Sequence, residues 1–336
     1  LFSFYLLLGI ALVAAAAGRG WRVLAIAGMV FTFVIGLSWA WRRYEPTDYA
    51  STQAFLLAFF VFYGAWPLWV TRRFTLQASD ATLTFGVPVL FLALQYSLVQ
   101  PWRYGFAISA ALAGGGYLLL WLGMRSRQDW LPTAFLGLAI GMLTGAIPFA
   151  LDVAPSAGLW AIEGAAGLAV ALKYRSRLGK LAGLGLQGLA GFYLLTELGF
   201  MTATLPVMNT PCLSAGLIAL AGMASAWLLA RFACQAKDQT RWMHVMLGWS
   251  LLWWFATGWR EIDLFIVDQK NALVAALVHW AVTVLVLEAA GVVLRWQDAR
   301  RVTGWLNLLL LGGLIQAWGI WGHALVGMAG WAWLLA

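Results

Sequence analysis

Apolar runs of about twenty residues follow one another along nearly the whole chain, separated only by short polar gaps. A helix needs about twenty apolar residues to cross ~30 Å of hydrocarbon. In lipid every backbone N–H and C=O must be satisfied within the structure, so only helices and closed barrels span it. A barrel strand would alternate over about ten residues, whereas these runs are continuous. Composition excludes the soluble alternative. The chain is 63% hydrophobic and 10% charged, with a mean hydropathy of +0.82, where a soluble domain carries about 25% charged residues. The same apolar content excludes disorder.

The reading is therefore all-α: a polytopic transmembrane helical bundle of about thirteen spans. They fall near 1–17, 21–41, 51–70, 82–99, 105–124, 131–151, 157–173, 181–200, 211–230, 242–259, 271–294 and 302–321, with a partial run from 323. Residues 1–336 form one transmembrane region, and no gap is long enough for a soluble domain. The chain starts without a charged n-region and ends inside the apolar run Ala324–Ala336, so it reads as a piece of a longer polypeptide.

Sixteen Lys and Arg lie in the odd-numbered gaps and five in the even ones. The positive-inside rule then puts the odd gaps in the cytoplasm and Leu1 on the outer side. It also accounts for the +8 net charge without nucleic acid. Many of the 22 Trp sit at the ends of runs, as an interfacial belt does. Trp253 and Trp254 lie mid-run and are candidates to line a cavity. Cys212 and Cys234 fall near opposite ends of one run, roughly 33 Å apart along a helix, too far to pair.

A short repeat links Met124-Arg125-Ser126-Arg127 to Tyr174-Arg175-Ser176-Arg177. Each is followed by a run ending in a proline turn, Ala146-Ile147-Pro148-Phe149 and Thr204-Leu205-Pro206-Val207. Repeated helical hairpins result. Duplicated halves with a site between them, and duplication that only enlarges the bundle, both explain them.

Three acids fall inside the runs: Glu163, Glu197 and Glu288. A charge in hydrocarbon costs a few kcal/mol and normally faces protein or water. Glu163 lies beside Gly164, Ala165, Ala166 and Gly167, a small-residue face suited to close helix contact. It is either a proton-titrating or substrate-binding carboxylate or a packed structural one. Glu197, near an outer helix end, reads as interfacial. Glu288 reads as snorkelling or ion-paired near Arg295. His279 is a lone mid-helix imidazole. The outer gaps carry acids as well, including Asp152, and the segment 260–268 reads as an amphipathic stretch lying flat at the interface. No pattern calls for a metal or cofactor.

The run Ala146-Ile147-Pro148-Phe149-Ala150-Leu151-Asp152, then Trp160-Ala161-Ile162-Glu163-Gly164-Ala165-Ala166, then Arg175-Ser176-Arg177-Leu178, resembles a bacterial family of very long polytopic membrane proteins, domain of unknown function number 2339. Ile162 stands where that family usually has leucine. Leu252-Trp253-Trp254 and Arg260-Glu261-Ile262 are similar to later family segments. The resemblance implies an inner-membrane protein of a Gram-negative bacterium, which makes the Leu1 side periplasmic, with further helices and an N-terminal soluble stretch; it lends no activity and singles out Asp152, Trp160 and Glu163.

Three roles follow. A transporter or flippase of an envelope molecule, lipid-linked or amphipathic, predicts a cavity holding Glu163, Pro148 and nearby Trp. A membrane enzyme on envelope glycan would need converging acids such as Asp152 with Glu197 or with 260–268. A scaffold subunit would show an apolar groove facing lipid or a partner and no convergent polar site. The first is favoured. Expected partners are membrane lipids, an envelope substrate, and a second copy or envelope proteins. Candidate substrate-binding or proton-titrating residues are Glu163, Asp152, Trp160, Glu197 and His279.

Overall fold

A computed structural model describes residues 2–19, 21–199, 202–232 and 237–307. Almost all of them are helical: α1 (Phe2–Arg19), α2 (Arg22–Arg43), α3 (Tyr49–Gly64), α4 (Trp66–Val70), α5 (Ala78–Val99), α6 (Gly105–Met124), α7 (Leu131–Ala150), α8 (Val153–Lys173), α9 (Arg177–Leu198), α10 (Thr210–Arg231), α11 (Lys237–Phe265) and α12 (Gln269–Val293). Helical residues continue over 297–307. The run from 323, His323 and Cys234 lie outside the described residues. Nine of the described helical segments are long and apolar enough to cross a membrane.

The helices depart from the sequence expectations at three notable places. The run 51–70 is two helices, because Pro67 cannot donate to the ladder and its ring opposes the carbonyl four residues back. Pro148, expected in a turn, lies inside α7, one turn before its end. The segment 260–268, expected as a flat interfacial stretch, is mostly the last turns of α11. Its first acid, Glu261, is paired and buried, so the helix need not stop there.

The chain divides into two compact units, Leu1–Leu151 and Asp152–Ala336. In the first, α2, α3 and α5 close around Met29, Phe33, Phe59, Tyr63 and Phe91. Tyr63 Oη and Thr32 Oγ1 lie 2.9 Å apart at its centre. Arg22 Nε donates to both oxygens of the wholly buried Asp80, at 3.1 and 3.0 Å. Asp80 also accepts the Gln77 N–H and so caps α5. Arg22 and Asp80 border the first and third gaps, and Tyr49 and Trp102, in edge contact at 4.6 Å, border the second and fourth. Alternate gaps therefore meet on one side, as the charge count requires.

In the second unit α8 packs along α9 and α10, and α10 along α11. Gly164 and Gly183 face each other at the α8–α9 crossing. A Cβ on Gly164 would stand 2.7 Å from the Gly183 carbonyl, so the two backbones touch as small residues in lipid permit. Of the expected small-residue face, Gly164 and Ala165 are buried, while Ala166 and Gly167 are exposed. Gln187, wholly buried, donates to Ser225 Oγ at 2.9 Å and ties α9 to α10. Ser250 donates to the Ala219 carbonyl at 2.6 Å and ties α11 to α10.

Two turns in this unit place an arginine at positive φ, Arg175 at 54° and Arg295 at 52°. In both, the arginine N–H returns to the carbonyl three residues back and the next N–H to the carbonyl five back. That is a Schellman closure, in which glycine is usual. Arg125 shows no such conformation, so the turn that matches Arg175 in form is Arg295.

Candidate functional site

One face of each of three helices lines a cavity of about 600 Å³ in the second unit. Helical spacing selects the lining residues. From α10 they are Cys212, Leu213, Gly216, Leu217 and Leu220; from α11, Trp254, Thr257, Gly258, Glu261 and Ile262; from α12, Ala275 and His279. The volume lies in the usual range of small-molecule sites, about 300–1,000 Å³. Gly216 contributes only backbone, and a Cβ there would meet nothing within 4 Å. Leu213 and Leu220 are 49% and 61% exposed. They belong to a membrane-length helix and are the exposed part of the cavity's lining on α10.

His279 is seated by α11. Its ring stacks on Trp254 with centroids 5.4 Å apart and stands edge-on to Phe255 at 5.6 Å. Gly258 makes room for it, since any Cβ there would run into the imidazole. Trp254 is held in turn, its Nε1 donating to Thr283 Oγ1 at 2.8 Å, and Thr283 donates to the His279 carbonyl at 2.7 Å. His279 Nε2 is buried and has no hydrogen-bond partner among the described residues. The imidazole is thus positioned by packing and by a hydrogen bond to the Trp254 backbone, and keeps one nitrogen to offer.

Glu261 closes the far end. Its carboxylate accepts the Val207 N–H at 2.7 Å and Asn209 Nδ2 at 3.0 and 2.9 Å, and Arg260 lies 3.4 Å away. Asn209 also caps α10 by accepting the Cys212 N–H at 2.9 Å. Val207 sits at φ 61°, which a β-branched residue adopts only under constraint. Glu261 supplies that constraint. The cavity is therefore apolar along its walls, with a carboxylate, a thiol and an imidazole among its lining groups.

The five residues expected from sequence are not gathered here. His279 lines the cavity; Glu163, Asp152, Trp160 and Glu197 do not. Glu163 is half-buried on α8. Asp152 is exposed at the start of α8 and makes no side-chain capping bond. Trp160 rests on Tyr193, centroids 5.2 Å apart. Glu197 is exposed in the last turn of α9. Pro148 belongs to the other unit. Trp254 lines the cavity, while Trp253 is buried in the core. Glu288 is ion-paired, to Arg300 at 2.7 Å with Thr303 donating at 3.0 Å, rather than to Arg295. Among the described residues the most buried acids are Asp80 and Glu261, both expected in gaps. Among the described residues no three His, Cys, Asp or Glu side chains converge as metal ligands do.

Fold and cavity describe a polytopic helical membrane protein with a chamber between three of its helices. The chain belongs to the family described as predicted membrane protein (DUF2339), whose model matches residues 1–336. No curated protein and no solved structure matches it.

Proposed function

We propose that this chain binds an amphipathic envelope molecule from the bilayer and moves it across a bacterial inner membrane, as a transporter or flippase. The cavity of the second unit carries the reading. It combines apolar walls, exposed leucines of a membrane-length helix, which this reading takes as the lipid side, and three polar groups, Cys212, Glu261 and His279. A molecule with an apolar chain and a polar head meets both requirements at once. The Nε2 of the neutral imidazole can accept a donor from the head group, and Glu261 can accept another without leaving its loop contacts. The odd gaps are taken as cytoplasmic from their excess of Lys and Arg. Glu261 and the 202–209 loop then mark the periplasmic end.

Reconstitution tests this. Vesicles carrying a head-group-labelled phosphatidylethanolamine are treated with dithionite, which reduces only outward-facing label. Wild-type protein should raise the reducible fraction above that of protein-free vesicles, and Gly216→Trp, which fills the chamber, should not. A wild-type signal equal to the protein-free control, or a Gly216→Trp signal equal to wild type, would overturn the proposal.

A further inference from the structure

The first unit contains a second, separate concavity. A groove of about 280 Å³ runs between α2, α3 and α5. Its floor on α2 is Thr32, Gly36, Ala40 and Tyr44, four residues apart and hence on one stripe. Gly36 leaves the floor open, for a Cβ there would meet nothing within 4 Å. Phe33, Leu56, Phe59, Leu94 and Leu98 make the deep walls apolar. From Thr32 to Tyr44 the stripe covers about 18 Å at 1.5 Å per residue, a little more than one leaflet of a ~30 Å hydrocarbon core.

Polarity rises towards one end. Thr52 and Ser97 line the groove there. Thr52 Oγ1 is buried and has no hydrogen-bond partner among the described residues. Two arginines follow directly on the wall residue Trp41, namely Arg42 and Arg43, and Glu45 follows directly on Tyr44, with Asp48 three residues later. Arg42, Arg43 and Glu45 are exposed. Among the described residues no ion pair joins the two arginines to the two acids. The mouth thus offers both signs of charge, and the interior offers a slot of leaflet depth.

We infer that this groove is a specific site for one phospholipid with a phosphoethanolamine head group. Its acyl chain lies along the α2 stripe. The Thr52 hydroxyl donates to an ester oxygen at the level of the glycerol. Arg42 and Arg43 take the phosphate, for which the guanidinium fork is suited. Glu45 and Asp48 take the primary ammonium. A phosphatidylglycerol head would leave the acids facing an uncharged glycerol, and a quaternary choline could donate no hydrogen bond to them.

The full chain is reconstituted in nanodiscs of equal phosphatidylethanolamine, phosphatidylglycerol and phosphatidylcholine, then extracted in mild detergent. Retained lipid is counted by native mass spectrometry. Wild type should keep phosphatidylethanolamine in preference to both others. Gly36→Trp, with unchanged thermal unfolding, should keep about tenfold less of it, while Gly216→Trp in the other unit should not alter this preference. Arg42→Gln with Arg43→Gln should abolish the preference. Should Gly36→Trp fail to fold, Ala40→Leu reads the same effect. Equal retention of the three lipids by wild type, or undiminished phosphatidylethanolamine in the groove-filling variant, would overturn the inference.

Discussion

Replacing Glu261 with alanine should release the 202–209 loop, at a cost that the structure allows to be worked out. The carboxylate is 9% exposed as a side chain and accepts hydrogen bonds from Val207 N and Asn209 Nδ2. Hydrogen bonds to a charged group contribute about 1.5–3 kcal/mol each. Part of that is recovered, because Asn209 Nδ2 also donates to the Leu205 carbonyl at 2.9 Å and the loop can hydrate Val207 N–H once freed. Relaxing Val207 from φ 61° returns a further ~1–2 kcal/mol of backbone strain. The net loss should be about 2–3 kcal/mol, well below the sum of the bonds. Glu261→Gln keeps one acceptor and should cost about half as much. The strain makes a signature that simple loss of contacts lacks. Val207→Gly should be stabilising or neutral in wild type, since glycine accepts positive φ, and should give much less benefit in Glu261→Ala. Hydrogen exchange of peptides over 202–209 in detergent, with thermal unfolding of the four proteins, reads both effects. Unchanged loop exchange in Glu261→Ala, or strictly additive Val207→Gly and Glu261→Ala, would refute the reasoning.

Further perturbations test the packing. Ser225→Ala should cost about 1–3 kcal/mol, because it strips Gln187 of its partner in a wholly buried site. Adding Gln187→Leu should recover most of that loss in chemical denaturation. Asp80→Asn should cost roughly 3 kcal/mol by breaking a buried ion pair with Arg22, seen as a lower melting temperature. Gly258→Ala should displace His279 from between Trp254 and Phe255, changing Trp fluorescence, with translocation lost while the fold persists. Gly191→Ala should destabilise by about 1–3 kcal/mol, since the new methyl would run into Trp249.

The helices were legible because hydrocarbon imposes a length, and the alternation of gaps because charge distribution imposes a side. The contact of Arg22 with Asp80 agrees with that alternation in the first unit. The contact of Glu261 with the 202–209 loop agrees in the second. The buried acids were not legible. An apolar run ends for the reader at the first charge, whereas a helix ends only where its charge lacks a partner. The partner of Glu261 lies 52–54 residues away and is partly a main-chain N–H, which leaves no mark in the sequence. Glu163, an acid inside an apolar run, is half-buried on a tightly crossed helix and lies outside the lining of the chamber. A signal for the chamber was present. Trp254, Gly258 and Glu261 share one helical face, as do Cys212, Gly216 and Leu220. A small residue flanked by aromatic and acidic ones at that spacing marks a face which neither packs flush nor meets plain lipid.

Crosslinking tests the chamber most directly. A phospholipid with a photoactivatable group on its acyl chain is incorporated with the protein, irradiated, and the adducts mapped by peptide. Adducts should fall on 212–220 of α10 and 254–262 of α11, the segments that line the cavity, and should disappear in Gly216→Trp. Adducts confined to lipid-facing positions such as Leu189, Phe192 and Val286, 60%, 64% and 60% exposed, and unaltered by Gly216→Trp, would contradict the account.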